Sequence, residues 1–198
     1  DLLSFSSHKI YGPKGIGALY IRDGVKIDAF MHGGHQERGR RGGTENTIGI
    51  AGFGVAAKIA QERLLKDMNI IKKLRDRLEK SILGSVPDVV INGNVENRVP
   101  GTTNLSFKYI EGEAILLNLD MYNIGASSGS ACTSGSLEPS HVLVSLGIPK
   151  ETAHGSIRFS LGRGNNDEDI DKVLEVLPNI ITKLREMSPL YVKKIHNI

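Results

Sequence analysis

Three residues of this sequence have the type and the setting to do chemistry: Lys9, Cys132 and Arg158. Lys9 closes the run Ser6-Ser7-His8-Lys9, directly after an apolar, strand-like segment. A lysine becomes an amine nucleophile when desolvation weakens its charged form, and it can then make a Schiff base with an aldehyde. The end of a strand places it at a sheet edge, where α/β proteins bind ligands. Ser6, Ser7 and His8 add donors that suit an anionic group. Taken alone, the tetrapeptide is read more simply as a solvated lysine at a turn. Cys132 is the chain's single cysteine, so no intrachain disulfide forms. A lone cysteine is ordinarily a small buried apolar residue. This one lies in Ala126-Ser127-Ser128-Gly129-Ser130-Ala131-Cys132-Thr133-Ser134-Gly135-Ser136, small and polar throughout, which builds an exposed loop and favours reactivity. The two readings stand level. Arg158 sits inside Ser156-Ile157-Arg158-Phe159-Ser160. Within an apolar strand it must be paired or face a cleft, and its planar fork suits bidentate capture of a carboxylate. An internal salt bridge explains it equally well.

The elements that must position these residues follow from periodicity. Residues 1–6 and 16–22 read as two strands joined by the turn chemistry of Gly12-Pro13-Lys14-Gly15. Residues 32–43, rich in Gly, Arg and His, form a loop that is costly to order unless a ligand or partner orders it. From Ile50 through Phe53, Ala57, Ala60, Leu64, Met68, Ile71, Leu74 and Leu78 to Ile82, apolar residues recur at spacings of three and four. That predicts one helix over about 48–83 with one apolar face, ended by Gly84 as a C-cap. A domain boundary falls at its centre, near 64–69, so residues 1–65 and 66–198 are expected to be two domains bridged by the helix. Further strands are expected at 89–91, 103–107 and 156–161, and short helices at 111–121, with Ile115, Leu116 and Leu119 inward, and at 140–146. The last helix begins at Asn165 or Asn166, with Asn165 and Glu168 spaced like a capping box and Pro178 expected to kink it. Strands mixed with helices define an α/β chain.

Composition sets limits. The 198 residues are 39% hydrophobic and 24% charged, ordinary for a globular protein with a real core. A formal charge of +3, from 25 basic and 22 acidic residues, argues against a nucleic-acid or membrane partner. Arg38, Arg40 and Arg41 form the one dense basic cluster, without the stacking aromatic that nucleic acid would need. No apolar run approaches the ~18 residues of a membrane span. A free cysteine and no secretory signal give a reducing, cytoplasmic setting as the default. The opening Asp1-Leu2-Leu3-Ser4-Phe5, without Met, looks like the middle of a strand in a longer protein, so the chain is expected to be a fragment.

Four segments together resemble the cysteine desulfurases, fold-type-I pyridoxal-phosphate enzymes of the class-V aminotransferase type. They are Ser6-Ser7-His8-Lys9-Ile10-Tyr11-Gly12-Pro13-Lys14-Gly15-Ile16-Gly17, Arg41-Gly42-Gly43-Thr44-Glu45-Asn46, Ser128-Gly129-Ser130-Ala131-Cys132, and Ser156-Ile157-Arg158-Phe159-Ser160-Leu161-Gly162. Each alone is weak; their order and spacing resemble the family's C-terminal half. The long stretch from Ser134 to His141 is similar to the branch serving nitrogenase and general iron–sulfur assembly.

The resemblance implies the end of a large cofactor-binding domain followed by a small α/β C-terminal domain. It implies that Lys9 holds pyridoxal 5′-phosphate in a Schiff base, with Ser6, Ser7 and His8 contacting the cofactor. Thr44 would reach the phosphate of a neighbouring subunit in a homodimer, and Arg158 would bind the carboxylate of L-cysteine. Cys132 would take the sulfur as a persulfide, releasing alanine, and pass it to an iron–sulfur scaffold or other acceptor protein. At that step Cys132 would also touch a nascent cluster, the one metal contact implied. The family's ring-stacking residue and its Asp against the pyridine nitrogen belong to the N-terminal half, so this chain alone is expected to bind the cofactor weakly or not at all.

Three rival readings were open to the sequence. Gly125-Ala126-Ser127-Ser128-Gly129 fits a hydrolase nucleophile elbow, but no Asp lies between Ser127 and either His141 or His154. His32 and His35 suggest zinc but lack a third ligand at metal spacing. A catalytically incomplete fragment that only dimerises or recruits a sulfur acceptor is the stronger alternative.

Overall fold

The computed structural model describes residues 1–128 and 139–196. They fall into two compact units, 1–65 and 66–198.

In the first unit, strands β1 (Leu2–Ser6) and β2 (Gly17–Ile21) pair antiparallel, Ser6 opposite Gly17 and Leu2 opposite Ile21. Gly17 is required at that register, because a Cβ there would lie 2.6 Å from the Phe5 carbonyl oxygen. The ribbon leaves Leu2, Leu3, Phe5, Leu19 and Tyr20 about half exposed. A two-stranded ribbon with apolar side chains in water is marginal by itself.

The glycine-rich segment that follows closes itself. Gly42 N–H donates to the Met31 carbonyl at 2.8 Å, and Gly43 N–H donates to the Gln36 side chain at 3.1 Å. At the neck a Cβ on Gly42 would lie 2.9 Å from Gly33 Cα, so the strands of the loop touch backbone to backbone. A 3₁₀ turn at Gln36–Gly39 holds Glu37 and Arg38 in left-handed conformations that cost side-chain-bearing residues energy. The expectation of a loop holds, but internal hydrogen bonds supply its order.

Helix α1 spans Thr47–Ser85, and the Asn46 side chain accepts from Gly49 N–H at its start. Its apolar stripe is divided. Leu74, Leu78 and Ile82 are buried, whereas Ile50, Leu64 and Met68 are exposed and Ala56, not Ala57, is buried. Gly84 does not cap it: the helix runs past Gly84, and the left-handed residue beyond is Asp88.

The second unit is a four-stranded antiparallel sheet in the order β3-β4-β6-β5, with β3 Val89–Ile91, β4 Thr102–Phe107, β5 Ser127–Ser128 and β6 Ser156–Ser160. Helix α2 (Gly112–Asp120) buries Ile115 and Leu119 with Leu116 half-buried, as the spacing predicts. Helices α3 (His141–Ser145) and α4 (Lys150–His154) precede β6; α4 has too few apolar repeats to be read from the sequence. Helix α5 (Asp167–Glu186) brings Ile170, Val173, Leu177, Ile180 and Ile181 against Leu78, Ile82, Leu105, Phe107, Ile157 and Phe159, forming the core. Its capping box is Asn166 with Asp169, one residue beyond the expected Asn165 and Glu168; Asn165 instead accepts from Gly162 N–H at 2.8 Å. The helix continues through Pro178 as one element. Helix α6 (Pro189–His196) was not foreseen. It follows a tie in which buried Arg185 donates to the carbonyls of Lys108 and Asp88, each at 3.2 Å, and lies over the Tyr191 ring.

Beneath the sheet is a buried polar patch. Glu79 accepts from Arg98 at 2.7 Å and from the Thr103 hydroxyl, and Arg75, almost fully buried, pairs with Asp76 at 2.8 Å.

Candidate active site

β1 ends at Ser6 and the chain turns at once into a 3₁₀ turn, Ser7–Ile10, which carries His8 and Lys9. Two backbone bonds fix it: Ser7 N–H donates to Ile16 O at 3.1 Å, and Gly12 N–H to Ser7 O at 3.0 Å. Tyr11 closes the turn at a left-handed φ of 66°. Ser7 is fully buried, and its hydroxyl has no hydrogen-bond partner among the described residues. That hydroxyl occupies the space a side chain at position 12 would take, since a Cβ on Gly12 would lie 2.1 Å from Ser7 Oγ and 3.0 Å from Ala56 Cβ. Ser6, His8 and Lys9 are exposed on the outer side of the turn. No ion pair to Lys9 occurs among the described residues. Thr44 is also exposed, between the Gly42-Gly43 neck and the start of α1.

This donor set fits an aldehyde that carries an anionic group. An exposed amine neighbours an imidazole and a hydroxyl in sequence, on a turn fixed by its two backbone hydrogen bonds and by close packing at Gly12. No group of three or more His, Cys, Asp or Glu side chains among the described residues could hold a metal ion.

In the second unit, Arg158 is exposed while its neighbours Ile157 and Phe159 are buried. The side chain therefore points to the opposite face of the sheet from the core. Its guanidinium donates to Ser127 Oγ at 3.4 Å, and no carboxylate among the described residues pairs with it. Among the described residues, the internal salt bridge allowed by the sequence does not form. Ser127 lies within β5, paired with Arg158, rather than on the sharp strand-to-helix turn that a nucleophile elbow requires. Cys132 lies outside the described residues.

Asn104 and Asn92 escaped the sequence reading. Asn104 is the cross-strand partner of Arg158, and Asn92 donates to it at 2.6 Å. The signal was present in Thr102-Thr103-Asn104-Leu105-Ser106, where Asn104 and Ser106 alternate with apolar positions and so share one face.

Residues 1–173 match the family model for class-V aminotransferases, and the chain belongs to that family. A cysteine desulfurase of Gluconacetobacter diazotrophicus is 56% identical over 191 residues, covering 96% of this chain and 48% of that protein. The cysteine desulfurase IscS of Clostridium botulinum is 56% identical over 193 residues, with 96% and 49% covered. Among solved structures, a NifS-like protein of Rickettsia africae superposes with a TM-score of 0.83 at 36% identity, over 92% of this chain and 48% of that one. The mixed α/β fold is the one these NifS-like proteins share over the matched length. The chain spans about half the length of the curated relatives it matches.

Proposed function

We propose that this chain is the C-terminal half of a pyridoxal-phosphate-dependent cysteine desulfurase, which takes sulfur from L-cysteine and leaves alanine. On this reading residues 1–65 end the large domain and residues 66–198 make the small one. The observation that carries it is Arg158: an exposed guanidinium between buried Ile157 and Phe159, with no carboxylate among the described residues to neutralise it. Such a fork is suited to a carboxylate-bearing substrate.

Lys9 would hold the cofactor aldehyde through its amine, with Ser6 and His8 contacting the cofactor and Thr44 donating to the phosphate of a neighbouring subunit in a homodimer; Ser7, expected from the resemblance to join them, is fully buried beneath the turn. Bound there, pyridoxal 5′-phosphate supplies a conjugated ring that accepts electrons from the substrate α-carbon. The Lys9 amine, once free, takes the α-proton. Arg158 fixes the substrate carboxylate and so orients the α-carbon. Cys132, as thiolate, attacks the substrate sulfur: the carbon–sulfur bond breaks, a sulfur–sulfur bond forms, and the carbon takes a proton to become the methyl group of alanine. The Cys132 persulfide then passes sulfur to an iron–sulfur scaffold or another acceptor. A free catalytic thiol is consistent with a reducing, cytoplasmic setting, and no helix among the described residues is long and apolar enough to cross a membrane.

Cys132→Ser in the holoprotein should abolish alanine release from L-cysteine while leaving the cofactor's absorption band in place. Alanine release at the wild-type rate would overturn the assignment.

A second reading is favoured by one feature. Leu2, Leu3, Phe5, Leu19 and Tyr20 are about half exposed on a two-stranded ribbon, so the first unit lacks cover for its apolar surface. The isolated chain would then serve only in dimerisation or acceptor binding. Titrating the isolated chain with pyridoxal 5′-phosphate tests it: a new absorption band from bound cofactor would overturn this reading.

A further inference from the structure

The sheet of the second unit carries a polar row of which the proposed reaction uses only Arg158. Register sets Ser127 on β5, Arg158 on β6 and Asn104 on β4 side by side. Asn92, just past β3, continues the row, its N–H donating to the Asn104 carbonyl at 2.9 Å. Residues in register share a face. These four side chains therefore line up across the sheet, opposite the face that buries Leu105, Ile157 and Phe159.

The direction of the hydrogen bonds in this row is informative. Asn92 Nδ2 donates to Asn104 Oδ1 at 2.6 Å and to Ser106 Oγ at 2.8 Å. The Asn104 oxygen is turned to Asn92, on the side of β4 away from Arg158. What Asn104 turns toward the arginine is its NH₂ group, and a guanidinium, which has donors only, gains nothing from it. Reversing both amides would keep the Asn92–Asn104 bond but change the orphan. Buried Asn92 now leaves an oxygen without a partner among the described residues; reversed, it would leave a donor, and orphaned buried donors are the rarer of the two. On the other flank, the Ser127 hydroxyl accepts a single long bond from Arg158 at 3.4 Å. Among the described residues, most of the Arg158 fork is thereby left unspent.

We infer that Asn92 and Asn104 are positioning residues for carboxylate recognition. Asn92 clamps the Asn104 amide so that it offers Arg158 no acceptor, and the fork stays open to an incoming carboxylate. This rests on the reading of Arg158 as the site for the carboxylate of L-cysteine.

The test compares Arg158→Gln, Asn104→Asp and Asn92→Leu in the holoprotein, measuring KM and kcat for L-cysteine. It also follows phenylglyoxal modification of Arg158 by peptide mass, a readout that needs neither cofactor nor turnover. Asn104→Asp places a competing carboxylate beside Arg158; it should raise KM about tenfold with kcat nearly kept, and slow the modification several-fold. Asn92→Leu releases Asn104 to turn its oxygen inward, with the same signs and a smaller size. Asn104 is half-buried, so its variant decides the matter if the buried Asn92 position does not tolerate change. Should Arg158→Gln raise KM while both asparagine variants leave KM and the modification rate at wild-type values, the positioning inference fails alone. Should Arg158→Gln leave KM unchanged, the reading of Arg158 fails, and the inference with it.

Discussion

Glu79→Ala removes the carboxylate around which the buried polar patch of the second unit is organised. One oxygen takes the Arg98 fork at 2.7 Å and the other takes the Thr103 hydroxyl, with 9% of the side chain exposed. Deleting it strands a guanidinium whose Nε already lacks a partner among the described residues, together with a buried hydroxyl. Removing one member of a buried pair costs about 3–5 kcal/mol. Arg98 keeps 14% of its side chain in water, which favours the lower end, about 3 kcal/mol. For a chain of this size that lowers Tm by roughly 6–12 °C. The loss should also depend on pH. Burial raises the Glu79 carboxyl, but the bonds from Arg98 and Thr103 and the charges of Arg98 and Arg75 outweigh it, so the carboxyl sits below its usual 4.5. A folded value below the unfolded one gives stabilisation that is full above the unfolded value and is lost as pH falls through the folded value. The Tm gap between wild type and variant should therefore be full at neutral pH and narrow below about pH 4. Circular-dichroism melts across that range check it. A gap under about 2 °C at neutral pH, or one that does not narrow in acid, would refute the reasoning.

Three other perturbations are informative. Leu78→Ala opens a cavity where α1 meets α5 and should cost about 2–5 kcal/mol in urea unfolding. Asn166→Ala removes the side chain that accepts from Asp169 N–H at the start of α5 and should cost about 1 kcal/mol, seen as a lower urea midpoint at unchanged slope. Gly12→Ala places a methyl group against Ser7 and Ala56 beneath the Lys9 turn; overpacking of this kind costs about 1–3 kcal/mol and should weaken cofactor retention in the holoprotein.

The larger elements were legible because they obey simple periods. The three-and-four spacing of α1 and α5 and the alternation of β4 and β6 locate them to within a few residues. Periodicity says which face is apolar but not what covers it, so Ile50, Leu64 and Met68 belong to the apolar face of α1 and are exposed. Caps depend on single hydrogen bonds, which is why Asn165 and Asn166 could be exchanged and Gly84 mistaken for an end. The five-residue helix α4, and α6, which follows the Arg185 tie to distant carbonyls, have no comparable local signature. At the candidate site, residue type and motif order pointed to Lys9, Thr44 and Arg158. Asn104 and Asn92 required the sheet register, because they lie 54 and 66 residues from Arg158 and meet it only through strand pairing.

The most direct measurement is borohydride reduction of the protein carrying this sequence after loading with pyridoxal 5′-phosphate, followed by peptide mass mapping. A single adduct of reduced cofactor on the peptide containing Lys9, absent in Lys9→Ala, is the expected result. An adduct on another lysine, or an equal yield from Lys9→Ala, would contradict the proposed chemistry.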